Sequence, residues 1–357
     1  MPDAGLYDCD THFTDHLPEI WEDIGFTAAE RPEVVVEAGV TRLRLGDRVF
    51  PKPSGPGHGN PKGLGHLIGP GQDEDRAAFT GKHGIAAAVL QPGFVGLSVQ
   101  AVEDEQTRLR LLDGYNRLAS RACARSRLTL KWAFLASAED PKWSEETLRG
   151  YADDPHLVAV VVRPTARTAT ARLNSPDLAP LLGTAARLRL PLAVHGGTGC
   201  HQWSPLADAY DDYAMTHAFG HMGEQMIALA DLVTRPDGLP DGLRVVMLES
   251  GIAWIPSVLG RLASHTRRLA GDVPDPVETF REHFAVVPDP GEEHVLWAAR
   301  QLGAESILFG SDYPHWDTVE SGGWLAKFSG LCPPDLLAAN TSRFVPRLVG
   351  RAAGDPR

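Results

Sequence analysis

Cysteine is scarce in this 357-residue chain, and the four present, Cys9, Cys123, Cys200 and Cys332, are widely spaced with no CxxC pair. That argues against a disulfide framework and a thiolate zinc site, and leaves buried, reduced thiols as the expectation. Positive charge is also short: 34 Lys and Arg against 46 Asp and Glu give a net charge of −12, and no cluster of basic residues offsets it. Such a chain repels a phosphate backbone, so nucleic acid is not an expected partner. An anionic small substrate is still allowed, because a bound divalent cation and one or two arginines can dominate the field inside a pocket. No run of about 18 apolar residues is present, which excludes a helical membrane span. The opening MPDAGLYDCD has neither a basic patch nor an apolar stretch, so no signal peptide is expected and the cytoplasm is the expected location.

What is present is the composition of a globular protein, 43% hydrophobic and 22% charged. The length allows two average domains or one α/β barrel with insertions. Short apolar runs, each followed by helical periodicity, decide for the barrel, because that is the rhythm of βα units around a parallel sheet. Eight strands are expected, at about 5–12, 84–92, 129–136, 157–163, 190–195, 244–249, 281–287 and 306–312. Runs such as VAVVV and VVML are nearly continuous in apolar residues, as suits strands covered on both faces. Helical spacing marks 105–125, 220–234 and 252–269. The expected architecture is therefore a single (β/α)₈ domain over 1–357, with an insertion at 33–72. Within it, VTRLRLGDRVF alternates around Gly46 and Asp47 and predicts a rim hairpin. The Gly/Pro-rich stretch 51–71, which carries His58 and His66, predicts a loop over the barrel mouth.

Asp8, Asp10 and His12 are spaced by two, so on an extended segment all three share one face. A D-x-H alone is more often a strand end tied to loops than a metal site. The weight changes because His195 ends LPLAVH, Glu249 ends RVVMLE and Asp312 ends SILFGSD. In a (β/α)₈ barrel the strand C-termini converge on one rim, so distant segments deliver His, Asp and Glu to one place. Imidazole and carboxylate donors without thiolate suit one divalent ion, Zn²⁺ first, with Mn²⁺ or Fe²⁺ as alternatives. Such an ion acidifies a bound water.

The D-x-H, LAVHGG, LESGIAWIPSVLGRL and above all FGSDYPH segments resemble the amidohydrolase superfamily. Within it, they resemble the branch of aminocarboxymuconate-semialdehyde decarboxylase and the resorcylate decarboxylases, over about residues 5–350. The resemblance implies that Asp10, His12, His195 and Asp312 ligate one metal ion. Two departures stand out. The decarboxylases carry H-x-H or E-x-H where this chain has Asp10-Thr11-His12, and their sixth strand ends in an acid/base histidine where this chain has Glu249.

A carboxylate beside a metal-bound water is a natural general base, so Glu249 favours hydrolysis of an amide, lactam, lactone or related bond in a small polar substrate. A buried, protonated Glu249 could equally donate a proton to carbon after loss of CO₂, which keeps a non-oxidative decarboxylase as the alternative. It could also only orient a metal-bound histidine. An inactive barrel serving as a binding protein is the reading from another class. His217 and His221, four apart in THAFGHMGEQM, share a helix face; one of them is expected to hydrogen-bond substrate or water. Arg163, at the end of the fourth strand, is a candidate partner for a substrate carboxylate, or is tied to a neighbouring acid. Tyr313, His315 and Trp316 are expected to wall the pocket, and Gly196 and Gly197 to let backbone approach the ligand. A homodimer is the expected assembly.

Overall fold

The computed structural model describes residues 5–37, 40–46, 48–50, 73–168, 170–197, 213–269 and 274–349. The first strand, β1 (Leu6–His12), is followed by three short antiparallel strands, β2 (Glu33–Glu37), β3 (Val40–Leu45) and β4 (Arg48–Phe50). The predicted hairpin is the β3–β4 pair, and β2 adds to its other edge with Glu33 opposite Arg44. The chain then supplies β5 (Ile85–Gln91), β6 (Leu130–Leu135), β7 (Leu157–Val162), β8 (Leu192–His195), β9 (Val245–Leu248) and β10 (Phe284–Val286). With β1 these form a seven-stranded, wholly parallel sheet in sequence order. β7, LVAVVV, is buried along its whole length, which is why it has no polar face.

The expected eighth strand, 306–312, is not a regular strand. Ile307 bridges Val286 and Tyr313 bridges Thr11, both in the parallel sense. Leu308 N donates to Val286 O at 2.9 Å, Cys9 N to Phe309 O at 2.9 Å, Asp312 N to Asp10 O at 2.7 Å and His12 N to Tyr313 O at 2.7 Å. The segment thus joins β10 on one side to β1 on the other and closes a TIM-type barrel. The ladder breaks at Asp312, whose φ of 57° is left-handed. Gly310 lies in the seam itself: a Cβ there would sit 2.7 Å from the Asp10 Cβ and from the Val287 Cγ1.

The helix Glu105–Arg125 matches its expected bounds and is capped by Asp104, whose carboxylate accepts from Thr107 N at 2.8 Å. Its buried residues include Leu111, Leu112, Tyr115, Leu118 and Ala119, the face that the 3.6-residue period predicted. His221–Val233 lies within the 220–234 expectation, and Ile255–Leu269 starts three residues later than 252. The seventh strand is shorter than 281–287 because Pro276–His283 is helical. Asp275 caps that helix through Val277 N and Glu278 N, and the helix runs on until Phe284 turns into the sheet. Cys9, Cys123 and Cys332 are buried free thiols. Cys200 and the whole 51–71 loop, with His58 and His66, lie outside the described residues. Among the described residues no helix is long and apolar enough to cross a membrane.

Candidate metal centre

β1 ends at His12 and β8 at His195, and both imidazoles are fully buried. Their Nδ1 atoms are committed to carbonyls, His12 to Pro92 O at 2.6 Å and His195 to Gly196 O at 2.7 Å. A carbonyl only accepts, so each Nδ1 carries a hydrogen, and each ring in its neutral form turns a lone pair outward at Nε2. The two Nε2 atoms face each other at 3.2 Å. Asp10 Oδ1 lies 3.7 Å from the first and 3.6 Å from the second, and Asp312 Oδ1 lies 2.9 Å from His12 Nε2. Asp10 Oδ1 and both Asp312 oxygens are buried without a hydrogen-bond partner. Lone pairs and carboxylate oxygens pointed at one spot repel one another unless a cation lies between them. The donor set therefore fits a divalent ion of the borderline class.

The electrostatics agree. Burial, with help from His315 and His195, holds His12 well below the ordinary imidazole range, which keeps its lone pair free. Burial also disfavours a charged His195, but Glu249 and Asp10 outweigh it and push that imidazole up to about 9. A proton there stands in for a cation at the same nitrogen. Asp8, fully buried, accepts Ser311 N at 2.9 Å and Asp10 N at 3.2 Å, and so ties the two carboxylate-bearing backbones together. His315 stacks on His12 at 3.9 Å and lies 2.9 Å from Asp312 Oδ1 through Nδ1. Burial opposes its charge, yet Asp312 prevails and raises it to about 9.

A second group sits beside the first. Glu249, immediately after β9, has φ 54°. Non-glycine residues in that region cost about 1–3 kcal/mol and persist where the surroundings over-determine them. Here Gln225 Nε2 donates to Leu248 O and Val194 O, while Glu292 accepts from Ile252 N and Ala253 N, which pins the turn from both sides. His217 and His221 descend on Glu249 from the helix that follows β8. A π-helical turn, Thr216–Gly220, precedes His221–Val233. Such turns concentrate at functional sites. His217 Nε2 lies 3.7 Å from Glu249 Oε1 and 3.8 Å from Asp317 Oδ2, and His221 Nδ1 lies 3.7 Å from Glu249 Oε2. Glu249 Oε2 in turn is 3.4 Å from His195 Nδ1, which joins the two groups.

Burial alone would raise the Glu249 carboxyl, but the imidazoles of His221, His195 and His217 hold it well below the usual carboxylate range. Burial likewise opposes charge on His217, and Glu249 overcomes it, so that this imidazole is raised. His221 is pushed down to about 3 by burial. The two helix histidines therefore differ: the carboxylate favours the charged form of His217, while burial keeps His221 neutral behind it. Asp317 is raised to about 8, by burial first and then by Asp312 and Glu249.

The groups open into a cleft of about 550 Å³, a size that suits a small molecule. Asp10, His217, His221, Glu249, Asp312 and Trp316 are among its lining, with Asp317, and among the described residues the lining holds no arginine or lysine. Arg163 is not part of that wall. Its Nη2 donates to Gly197 O at 3.2 Å and lies 3.3 Å from Glu224 Oε2, so the tie to a neighbouring acid is what the fold makes of it. Tyr313 also turns away from the cleft, stacking on Phe79 at 4.3 Å with the Arg76 guanidinium 5.1 Å over its ring. His315 is packed behind His12, and only Trp316 walls the pocket as expected. Gly196 and Gly197 admit protein side chains, not a ligand: a Cβ would meet the His221 ring at 3.1 Å and Arg163 Nη1 at 1.8 Å.

Asp317 and Arg76 were invisible to strand-end reasoning. Asp317 lies past the strand, directly after Trp316. Arg76, distant in sequence, donates Nη2 to His12 O at 2.6 Å.

The amidohydrolase family profile matches residues 7–340. Solved structures of the same architecture include an amidohydrolase from Mycobacterium avium subsp. paratuberculosis K-10, 17% identical, covering 98% of this chain and 99% of that one with a TM-score of 0.68. A 2,6-dihydroxybenzoate decarboxylase from Rhizobium is 18% identical, with 96% and 98% covered and a TM-score of 0.65. A 5-carboxyvanillate decarboxylase from Novosphingobium aromaticivorans DSM 12444, complexed with manganese, is 17% identical, with 76% and 79% covered and a TM-score of 0.62. No curated protein sequence matches this chain. A profile match over nearly the whole chain, on a closed barrel with His and Asp donors gathered at its strand ends, establishes that the chain belongs to the amidohydrolase family.

Proposed function

We propose that the protein is a metal-dependent carboxy-lyase that removes CO₂ from a small carboxylic acid. The observation that carries this is the His217–Glu249 pair, 3.7 Å apart at the cleft beside the Asp10, His12, His195 and Asp312 donor set, in which the carboxylate raises the imidazole and the imidazole lowers the carboxyl. The sequence departs from the decarboxylase pattern by placing Glu249 where those enzymes carry an acid/base histidine. In this fold a different imidazole, His217, meets Glu249 from the π-helical turn.

A divalent ion, zinc or manganese, held by Asp10, His12, His195 and Asp312 would supply the positive charge that anchors a substrate anion in a cleft whose described lining offers no arginine or lysine. Glu249 keeps His217 protonated and aimed. His217 then gives its proton to the substrate carbon that bears the carboxylate. The bond to that carboxylate breaks, its electron pair stays with the carbon skeleton, and CO₂ leaves. Trp316, half-exposed at the rim and 5.6 Å from the His217 ring, offers an aromatic face to a flat substrate. The solved decarboxylases suggest hydroxylated benzoic acids as the first compounds to try.

Hydrolysis is the second reading, supported by the ionised state of Glu249, which is what a base for water requires. One panel separates the two. Zinc- or manganese-loaded protein is offered 2,6-dihydroxybenzoate, 5-carboxyvanillate and related acids with CO₂ capture, alongside small lactones and amides with ring-opening followed by chromatography. Release of CO₂ that falls by roughly 10²–10⁴ in His217→Asn is the expected result. Turnover of lactones or amides, lost in Glu249→Gln but kept in His217→Asn, would replace this reading with hydrolysis.

A further inference from the structure

Arg163 is a buried charge that packing does not explain. Its side chain is 1% exposed, and of its three nitrogens only Nη2 has partners, donating to Gly197 O at 3.2 Å and to Glu224 Oε2 at 3.3 Å. Nε and Nη1 are buried without a hydrogen-bond partner. Buried donors left unmet are costly, more so on a charged group. Glu224 returns little of that cost: burial holds its carboxyl up at about 7 although Arg163 draws it down. A buried pair of this kind is weak as a source of stability, and an apolar side chain of similar volume would serve the core as well. Yet the chain makes room for it at Gly197, where a Cβ would stand 1.8 Å from Nη1.

Its placement gives it a task. The parallel register pairs Val162 with Val194, which sets Arg163 beside His195. Gly197 belongs to the turn after β8, in which the Gly196 carbonyl takes the His195 Nδ1 hydrogen. Glu224 lies in the first turn of His221–Val233, the helix that continues the π-helical turn bearing His217. Gln225 already ties that helix to Val194 O and Leu248 O. One tie leaves a helix free to pivot. A second tie, at the neighbouring residue and directed past the end of β8, removes that freedom.

We propose that Arg163 is a positioning residue: its guanidinium joins the turn after β8 to the helix that carries His217, and so fixes where the proton donor stands relative to the metal centre. This rests on the reading of His217 as the donor to the substrate carbon. Arg163 itself lines no part of the cleft and acts through Gly197 and Glu224. A displacement of about 1 Å at a reacting group can cost about 10²-fold in rate, so such a clamp governs kcat from behind the site. The planar fork of a guanidinium suits two acceptors at once, and the point charge of a lysine does not.

The test compares Arg163→Lys, Glu224→Gln and the double variant with the wild type, all metal-loaded. In Arg163→Lys kcat for CO₂ release is expected to fall by roughly 10–100-fold, with KM within about twofold and metal content unchanged. Glu224→Gln is expected to lower kcat as well, and the double variant to be no slower than the slower single one, because the two side chains form one clamp. The ring resonance of His217, identified in histidine-labelled protein by its loss in His217→Asn, is expected to move in Arg163→Lys and Glu224→Gln. That readout needs no turnover. A lower melting temperature with unchanged kcat and an unmoved His217 resonance would leave Arg163 a purely structural residue and overturn the proposal. Loss of metal in step with kcat would overturn it too, by making Arg163 a support of the metal centre. If Arg163→Lys does not fold, the nearly isosteric Glu224→Gln decides by the same two readouts. A wild type that releases no CO₂, but whose His217 resonance moves in the variants, would remove the proposed reaction and keep the clamp.

Discussion

Glu249 and Asp312 hold φ angles of 54° and 57°, conformations that L-residues adopt at a cost, and both carry a carboxylate into the cleft. Local propensity would not put them there; the packing around the turns does. The donor atoms they help position are also where pH acts. His195 is raised to about 9 before a cation arrives, so binding an ion at neutral pH must displace its proton. Metal affinity is therefore expected to rise with pH until about 9, with about one proton released per ion. Calorimetry in buffers of different ionisation enthalpy measures that release, and a pH-independent affinity would contradict the assignment of His195. Asp312→Asn should lose most of the bound metal. His221 titrates in the opposite direction. Its folded value of about 3 lies below the 6.5 of a free imidazole, so the unfolded state binds the proton first. Its contribution to stability is complete above pH 6.5 and is lost as pH falls toward 3. The melting temperatures of wild type and His221→Asn should therefore converge over that range, and a constant gap would refute the neutral, buried state.

At the scale of elements, the π-helical turn Thr216–Gly220 sets the angle from which His217 meets Glu249. One residue fewer would restore an α-helical register and rotate His217 by about 100° about the axis. Deleting Ala218 is expected to abolish turnover while leaving the metal site occupied, since that site draws on β1, β8 and the closing segment alone. Loss of the metal in that variant would show that the turn supports more than the proton donor. Gln225 plays a different part. Its amide donates to Val194 O in β8 and to Leu248 O at the end of β9, and both bonds are buried. Gln225→Leu leaves those acceptors unsatisfied, a cost of about 1–3 kcal/mol that a denaturant midpoint would register. The helices were the most legible elements, because an apolar stripe repeats every turn and Asp104 marks the start of Glu105–Arg125. The seventh strand was misjudged for the same physical reason: REHFAVV is too short for a period of two to outweigh the capped helix running into it.

For the whole molecule, closure of the barrel depends on residues 307–313, which pair with β10 and β1 without forming a regular strand. Gly310 makes that closure possible by bringing backbone against Asp10 and Val287. Gly310→Val should lower the melting temperature and the metal content together, because the same displacement opens the seam and moves Asp10 away from His12. Loss of stability with a full metal complement would separate the seam from the site.

The sequence by itself determined the barrel and the candidate donors. Continuous apolar runs such as LVAVVV suit strands covered on both faces, and a polar residue ending such a run is placed at the rim where barrel strands converge. That reasoning reached Asp10, His12, His195, Glu249 and Asp312. It did not reach Asp317 or Arg76, it left Arg163, His217 and His221 undecided, and it put Tyr313 on the pocket wall, where the fold stacks it on Phe79 instead. Those side chains take their partners across turns and from distant elements: Arg163 with Glu224, Tyr313 with Phe79, His217 with Glu249. Periodicity reports which face of its own element a residue occupies. Only the tertiary structure decides which element stands opposite, because that depends on how all the barrel's layers pack at once.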